Sequence, residues 1–438
     1  MKTTARQTAL DVLLKIFKDN AYSNLALDAA LKKTRLDVRE KAFASALVYG
    51  TCERLITLDY ALEKYLSKPI GKLKPQVLAI LRLGAFQLLF MSGVPTSAAV
   101  NESVNLAKSN GCAYASGLIN AVLRKIAKNG LQLPNEDDKV KYLSIKFSCP
   151  QWLIEKWLKE YGKEKAENIL TYSLKENKII IRVNTVKTSA EELVNSLLSN
   201  GIHCEHTNVE DALMISNLPS SVEELDEFKN GLFHVQGIPS QLCAKAVGAK
   251  EGDTIFDLCA APGGKTFTVA ELMKNKGTVK AFDLYESRAL LISKGAERLG
   301  LDIVTASAAD ASIFDEKLGK ADCVLCDVPC SGLGIISKKP EIKFKKPDEL
   351  LSLPDIQLKI LENGSKYVKD GGRLVYSTCT LSKEENEIVC KRFLEKNINF
   401  KPSKPLPEFS DDCFVTVFPN ENNSDGFFVA LFEKEGSN

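Results

Sequence analysis

The stretch TIFDLCAAPGGKTFTVAEL, residues 254–272, opens on a short apolar run. It turns through Ala260, Ala261, Pro262, Gly263 and Gly264 and becomes helical at about Lys265. Small residues at such a turn let the backbone approach a ligand, and the free N–H groups of the helix start favour a negative group. A P-loop would need glycine where Cys259 stands, and a dinucleotide fingerprint would need spaced glycines instead of an adjacent pair. The strand-turn-helix unit therefore predicts a doubly wound α/β sheet with a different ligand.

Downstream the pattern alternates strictly. Strands are expected near 254–259, 278–283, 302–306, 321–326 and 372–377, with helices filling most of the gaps. Such a sheet binds its ligand at the carboxyl ends of its strands. The second strand ends at Asp283, about 20 residues past the glycines, where an acid accepts hydrogen bonds from ribose hydroxyls. The third ends near Asp310, within reach of an adenine amine. The fourth delivers CDVPCSGLG with Cys330, and the fifth delivers LVYSTCTLS with Cys379. A lone cysteine at a strand end is ordinarily packing. Two of them beside a cofactor cleft are better read as reactive.

Upstream the character differs. Residues 1 to about 130 carry helical periodicity almost without a break, as in Leu10, Leu13, Leu14 and Phe17, and are expected to form an all-α domain of six or seven helices. LPNEDD at 133–138 reads as its exit linker. KIIIRVNT and GLFHVQ read as strands around the helix SAEELVNSLLSNG, giving a small α/β module. The expected domains are thus 1–138, 139–237 and 238–438. The net charge of +2 hides an asymmetry: residues 1–145 hold 21 Lys and Arg against 12 Asp and Glu. A basic module on a mildly acidic one points to a polyanion partner such as nucleic acid.

Asp11 and Lys15 interrupt any N-terminal apolar run, and the longest uncharged stretch, 83–101, contains Gly93 and Pro95. No signal peptide or membrane span is expected. The 12 cysteines read as thiols in a cytoplasmic protein. Cys323 and Cys326 lie inside a strand without a partner pair, and HCEH at 203–206 reads as an exposed polar strand, so no metal site is expected.

In their joint order, DLCAAPGGKT, Asp283, Asp310, DVPCSGLG, KPEIKFKK, YSTCT and SDGFFVA resemble the RNA (cytosine-C5) methyltransferases that use S-adenosylmethionine. The resemblance covers nearly the whole chain. The N-terminal part is similar to the NusB-like RNA-binding domain carried by the members that act on bacterial 16S rRNA, and the middle module to their small, RRM-like RNA-contacting one. Val328 stands where alanine is usual, and GIPSQ at 237–241 replaces the commoner DxASQ.

The resemblance implies a Rossmann-like class I methyltransferase domain, with cofactor contacts from Cys259, Ala260, Ala261, Pro262, Gly263, Gly264, Lys265, Asp283, Asp310 and Asp327. Cytosine C5 is a poor nucleophile, and thiolate addition at C6 makes it enamine-like. Cys379 is implied as that nucleophile, and Cys330 as the thiol that helps release methylated RNA. Asp327 would hold the cytosine edge, as a protonated acid facing N3 or as an acceptor for the N4 amine. Lys265 would steady the Cys379 thiolate. S-adenosylhomocysteine would be the other product, 16S rRNA the partner, and a monomer the expected state.

SKKPEIKFKKP at 337–347 carries five lysines around Phe344 and is a candidate for gripping phosphates. Arg182, Asn184 and scattered lysines and arginines of the helical part are weaker candidates. Three other readings stay open. A DNA cytosine methyltransferase would use Cys330 as nucleophile, the target RNA could be a tRNA or 23S rRNA, and a non-catalytic RNA-binding factor would use neither cysteine.

Overall fold

The computed structural model describes residues 4–19, 21–175, 178–219, 221–419 and 424–436. Two compact units emerge: residues 1–175 with 336–345, and residues 176–335 with 346–438.

The first unit is helical. Its elements are α1 (Ala5–Asp19), α2 (Ser23–Leu31), α3 (Val38–Glu53), α4 (Leu55–Glu63), α5 (Pro75–Phe90), α6 (Thr96–Ser109), α7 (Ser116–Asn129), α8 (Lys139–Phe147) and α9 (Gln151–Tyr172). The apolar stripes seen in the sequence form its core: Leu10 and Leu13 of α1 pack with Leu47, Leu58, Leu62 and Ile80. Gly50 lets α3 close on α5, because a Cβ there would lie 2.0 Å from the Phe86 ring. Asp37 and Asp138 cap α3 and α8 by accepting from the N–H groups of Glu40 and Lys141. α8 and α9 belong to this compact unit, which runs to residue 175.

Residues 336–345 also pack in the helical unit, although they follow the Cys330 loop in sequence. Here the structure removes one of the five lysines from the phosphate-gripping candidate. Lys343 is 2% exposed. Its ammonium donates to the carbonyls of Glu53 and Ser148, both at 3.1 Å, which lie at the C-terminal ends of α3 and α8. Helix C-termini present unpaired carbonyls and partial negative charge, so one lysine serves two ends. Burial lowers its pKa, opposed by Cys149 and Glu53. Glu341 accepts from the Ser23 hydroxyl at 2.9 Å, and Phe344 meets Phe17 edge-on at 6.5 Å. Lys339 and Lys346 stay exposed.

The second unit holds two sheets. The smaller is antiparallel, in the order β2 (His203–His206), β3 (Ala212–Ser216), β1 (Ile179–Val183), β4 (Phe233–Val235). α10 (Ala190–Ser199) starts in a capping box between Ser189 and Glu192, and the short α11 (Asp226–Lys229) precedes β4. HCEH is the exposed edge strand β2, as its composition suggests. β3 escaped the sequence reading. Arg182 and Asn184 are structural rather than RNA-facing. Arg182 pairs with Asp211 and Glu271 at 3.3 Å each, and Asn184 donates to the carbonyls of Gly231 and Leu299 at 2.8 Å.

The larger sheet contains β5 (Thr254–Asp257), β6 (Thr278–Asp283), β7 (Val304–Ala308), β8 (Ala321–Asp327), β9 (Val368–Thr378), β10 (Phe400–Ser403), β11 (Phe414–Val417) and β12 (Phe427–Lys434). Its order is β10-β12-β9-β8-β5-β6-β7, with β11 beside β12. β9, β8, β5, β6 and β7 run parallel, as the alternation predicts. β10, β11 and β12 add an antiparallel edge that the sequence reading did not include. Helices α12 (Ile238–Ala246), α13 (Gly264–Leu272), α14 (Glu286–Leu299), α15 (Leu353–Ser365) and α16 (Glu387–Lys396) complete the domain. Cys323 and Cys326 are core.

Candidate active site

Parallel strands end on one edge, and the order β9-β8-β5-β6-β7 sets the sequence-derived residues in a row along it. Cys379 follows β9, Asp327 closes β8 with Cys330 just beyond, the CAAPGG turn follows β5, Asp283 closes β6, and Asp310 follows β7.

The turn after β5 is built to admit a ligand. Gly263 has φ +110, and a Cβ there would lie 2.3 Å from the Phe267 ring, so no larger residue fits. Ala260 N–H bonds the Phe282 carbonyl at 2.8 Å, which ties the turn to β6. Asp283 is buried, and Tyr285 N–H at 3.3 Å and Arg288 at 3.4 Å both contact its Oδ1. Arg288 also donates to the Ala261 carbonyl at 3.1 Å, bridging turn and acid. Asp310 lines an open pocket with Leu258, Phe282, Ala309, Ala311 and Ile313. The Ser312 backbone N–H holds its carboxyl below the usual range.

The two reactive-cysteine candidates are neighbours although they stand 49 positions apart in the chain: Cys330 Sγ and Cys379 Sγ lie 3.2 Å apart. The hydrogen bond with Cys379, then burial, then the nearby charges of Cys379 and, last, Glu385 push the Cys330 thiol well above its usual range. Asp327 uses both oxygens as acceptors. Lys265 Nζ donates to Oδ2 at 2.7 Å, and Ser377 Oγ to Oδ1 at 2.8 Å. Burial opposes the Lys265 charge, but Asp327 outweighs it and the pKa rises. The Lys265 ammonium thus sits on Asp327, and also 5.4 Å from the Phe427 ring centroid.

Several site residues carried no signal in the sequence. Ser377 is an unremarkable strand residue, and Glu385 lies in the polar run SKEENE, which reads as solvated surface. Asp257, beneath the turn, is 1% exposed and accepts from Thr266 Oγ1 at 2.7 Å. Burial raises its pKa to about 7. Among the described residues no cluster of His, Cys, Asp and Glu could hold a metal ion, and no helix is long and apolar enough to cross a membrane.

Residues 244–433 match the family described as 16S rRNA methyltransferase RsmB/F. Residues 3–128 match the NusB family, and 149–222 the ferredoxin-like domain of RsmF/B-like methyltransferases. Over 450 residues the chain is 38% identical to "Probable ribosomal RNA small subunit methyltransferase B" of Bacillus subtilis (strain 168), spanning 99% of this chain and 100% of that one. It is 31% identical to "Ribosomal RNA small subunit methyltransferase B" of Pseudomonas syringae pv. tomato, over 98% of this chain and 96% of that one. Among solved structures, "Crystal Structure of PH0851" superposes with a TM-score of 0.83 at 29% identity, covering 99% and 100% of the two chains. A helical NusB domain, a ferredoxin-like module and a methyltransferase domain carrying two adjacent thiols thus follow one another in a chain that belongs to the ribosomal RNA small subunit methyltransferase B family.

Proposed function

We propose that the chain methylates C5 of a cytosine in 16S rRNA with S-adenosylmethionine, through a covalent adduct between Cys379 and C6. The observation that carries this reading is the 3.2 Å separation of two thiols at the ends of adjacent parallel strands, beside an Asp327–Lys265 pair.

The cofactor fits the residues present. Gly263 clears the turn, Cys259 to Gly264 supply the backbone cradle, the helix start at Lys265 suits a carboxylate, Asp283 suits ribose hydroxyls, and the Asp310 pocket suits an adenine ring. When bound, S-adenosylmethionine supplies an electrophilic methyl group.

The remaining work falls to side chains of this chain. Cys379 adds to C6, forming the S–C6 bond and giving C5 the electron density to take a methyl. Asp327, engaged by an ammonium and a hydroxyl, has the arrangement of a carboxylate, which favours it as an acceptor for the cytosine N4 amine over a protonated acid facing N3. Lys265 then acts through Asp327, holding its orientation. After transfer, solvent takes the C5 proton, the C5–H electron pair becomes the C5=C6 double bond, and the S–C6 electron pair returns to sulfur. Cys330, kept as a thiol by burial and its sulfur neighbour, assists that release.

The test uses the full chain with 16S rRNA or immature small subunits and labelled cofactor. Cys330→Ser is expected to accumulate a covalent protein–RNA adduct and Cys379→Ser to form none. The reverse pattern overturns the assignment, and adducts with DNA alone would make the substrate DNA.

A further inference from the structure

We infer that Glu385 is a positioning residue that sets the distance between the two site thiols. The inference rests on the reading that both sulfurs serve one base.

Glu385 is 2% exposed and stands just before α16. Its Oε2 accepts from Ser331 N–H at 2.8 Å and from Gln357 Nε2 at 3.0 Å, and its Oε1 from Ser331 Oγ at 2.5 Å. Thr380 Oγ1 reaches Oε1 at 3.4 Å and Ser331 Oγ at 2.6 Å. Ser331 is the residue after Cys330, and Thr380 the residue after Cys379. One carboxylate thus grips both loops immediately beyond their sulfurs. Gln357 also donates to the Pro329 carbonyl at 3.0 Å, holding the Cys330 loop from its other side. The next residue continues the clamp: Asn386 accepts from Thr378 Oγ1 at 2.6 Å and donates to the Thr380 carbonyl at 3.0 Å, bracketing Cys379.

A buried carboxylate is costly unless its acceptor sites are filled. Here Ser331 N–H, Ser331 Oγ and Gln357 Nε2 fill them, and the Thr380 hydroxyl, whose one hydrogen serves either Ser331 Oγ at 2.6 Å or Oε1 at 3.4 Å, joins the Cys379 loop to that cluster. Without the carboxylate, Ser331 N–H loses this acceptor and Gln357 Nε2 keeps the Pro329 carbonyl alone, so the two loops are joined near their sulfurs by the Ser331–Thr380 hydroxyl contact and, farther out, by the backbone bonds from Gly334 to Cys379 and from Val328 to Ser377. Loose thiols lower the fraction of complexes in which one sulfur can add and the other assist.

Glutamine can replace the acid with little disturbance. Its oxygen can take the Ser331 N–H and Gln357 bonds, while its NH2 donates to the Ser331 and Thr380 hydroxyls, which are able to accept. Alanine can do neither. The carboxylate charge also contributes to the raised Cys330 pKa, so Glu385→Gln separates geometry from charge.

The experiment measures sulfur proximity directly, without RNA. Full-length protein is equilibrated in a glutathione redox buffer, in which one oxidised glutathione and the two thiols give a Cys330–Cys379 disulfide and two reduced glutathiones. The disulfide is quantified by peptide mass spectrometry, with its effective thiol concentration as the readout. Glu385→Ala is expected to lower it at least tenfold and to lower kcat by about 100-fold, with KM for rRNA and cofactor affinity unchanged. Glu385→Gln is expected to restore the disulfide equilibrium. Ser331→Ala, which keeps the backbone arm of the clamp, is expected to fall between and serves if Glu385→Ala does not fold. An unchanged disulfide equilibrium in Ser331→Ala and Glu385→Ala overturns the positioning role whatever the activity. A lowered equilibrium with full turnover leaves the positioning standing and counts against the two-thiol chemistry instead.

Discussion

Gly334→Ala is a small perturbation with a large expected effect. The Gly334 N–H bonds the Cys379 carbonyl at 3.0 Å, and its own carbonyl accepts from Gly426 N–H at 2.8 Å, so the residue threads between the Cys379 loop and the start of β12. A Cβ at Gly334 would lie 2.1 Å from the Gly426 oxygen and 2.9 Å from the Cys379 oxygen. Ordinary non-bonded contact begins at roughly 3.5 Å, so the neighbours must separate by more than about 1 Å. Both obstacles are backbone, and β12 is anchored by Phe427 and Phe428, which are buried. The strain therefore falls on the loops of Cys330 and Cys379. Overpacking of this kind costs about 1–3 kcal/mol of stability. A displacement of about 1 Å at reacting groups costs on the order of 100-fold in rate. Initial rates of methyl transfer to 16S rRNA, with cofactor affinity by calorimetry, give the comparison. kcat should fall about 100-fold while cofactor affinity holds, since the turn after β5 is untouched. A folded Gly334→Ala protein within threefold of wild-type kcat would refute the reasoning.

Two further outcomes follow from buried charge. The folded pKa of Asp257, about 7, lies above the ordinary aspartate value, so the folded chain holds its proton where the unfolded chain has lost it. That contribution to stability is complete below about pH 4 and is lost as pH rises toward 7, by on the order of a few kcal/mol. Asp257→Asn should flatten this part of the profile in urea unfolding across that window; parallel wild-type and variant profiles would sink the claim. Lys343→Ala leaves the C-terminal carbonyls of Glu53 and Ser148 without their cation, and should destabilise the helical unit by about 2–4 kcal/mol in denaturant unfolding. A loss below about 0.5 kcal/mol would mean water replaces the ammonium freely.

The legible parts of this molecule were those where chemistry and local backbone coincide. The CAAPGG turn, Asp283, Asp310, Cys330 and Cys379 each sit within a few residues of a strand end, so alternation alone placed them on one edge. Burial of polar groups was not legible, because it depends on partners far away in the chain. Lys343 looks identical to its four neighbouring lysines until two helix ends meet its ammonium. Glu385 looks like any surface glutamate until Ser331, Gln357 and Thr380 converge on it. The edge strand β10 was hidden for another reason: FKPS and the KPLPEF after it mix prolines and charges, and only pairing with β12 makes a strand of it.

The helical unit is assembled from two separate pieces of chain, with residues 336–345 returning to it long after residue 175. Such a unit has no clean seam for excision. A fragment starting at residue 178 would carry an orphaned ten-residue strip whose Pro340, Ile342 and Lys343 had lost the surroundings that bury them. A fragment ending at 175 would lack its own capping lysine. Gene truncation and domain transplantation therefore meet a helical unit whose second piece lies, in sequence, inside the other unit, so a swap of the helical unit has to move both pieces.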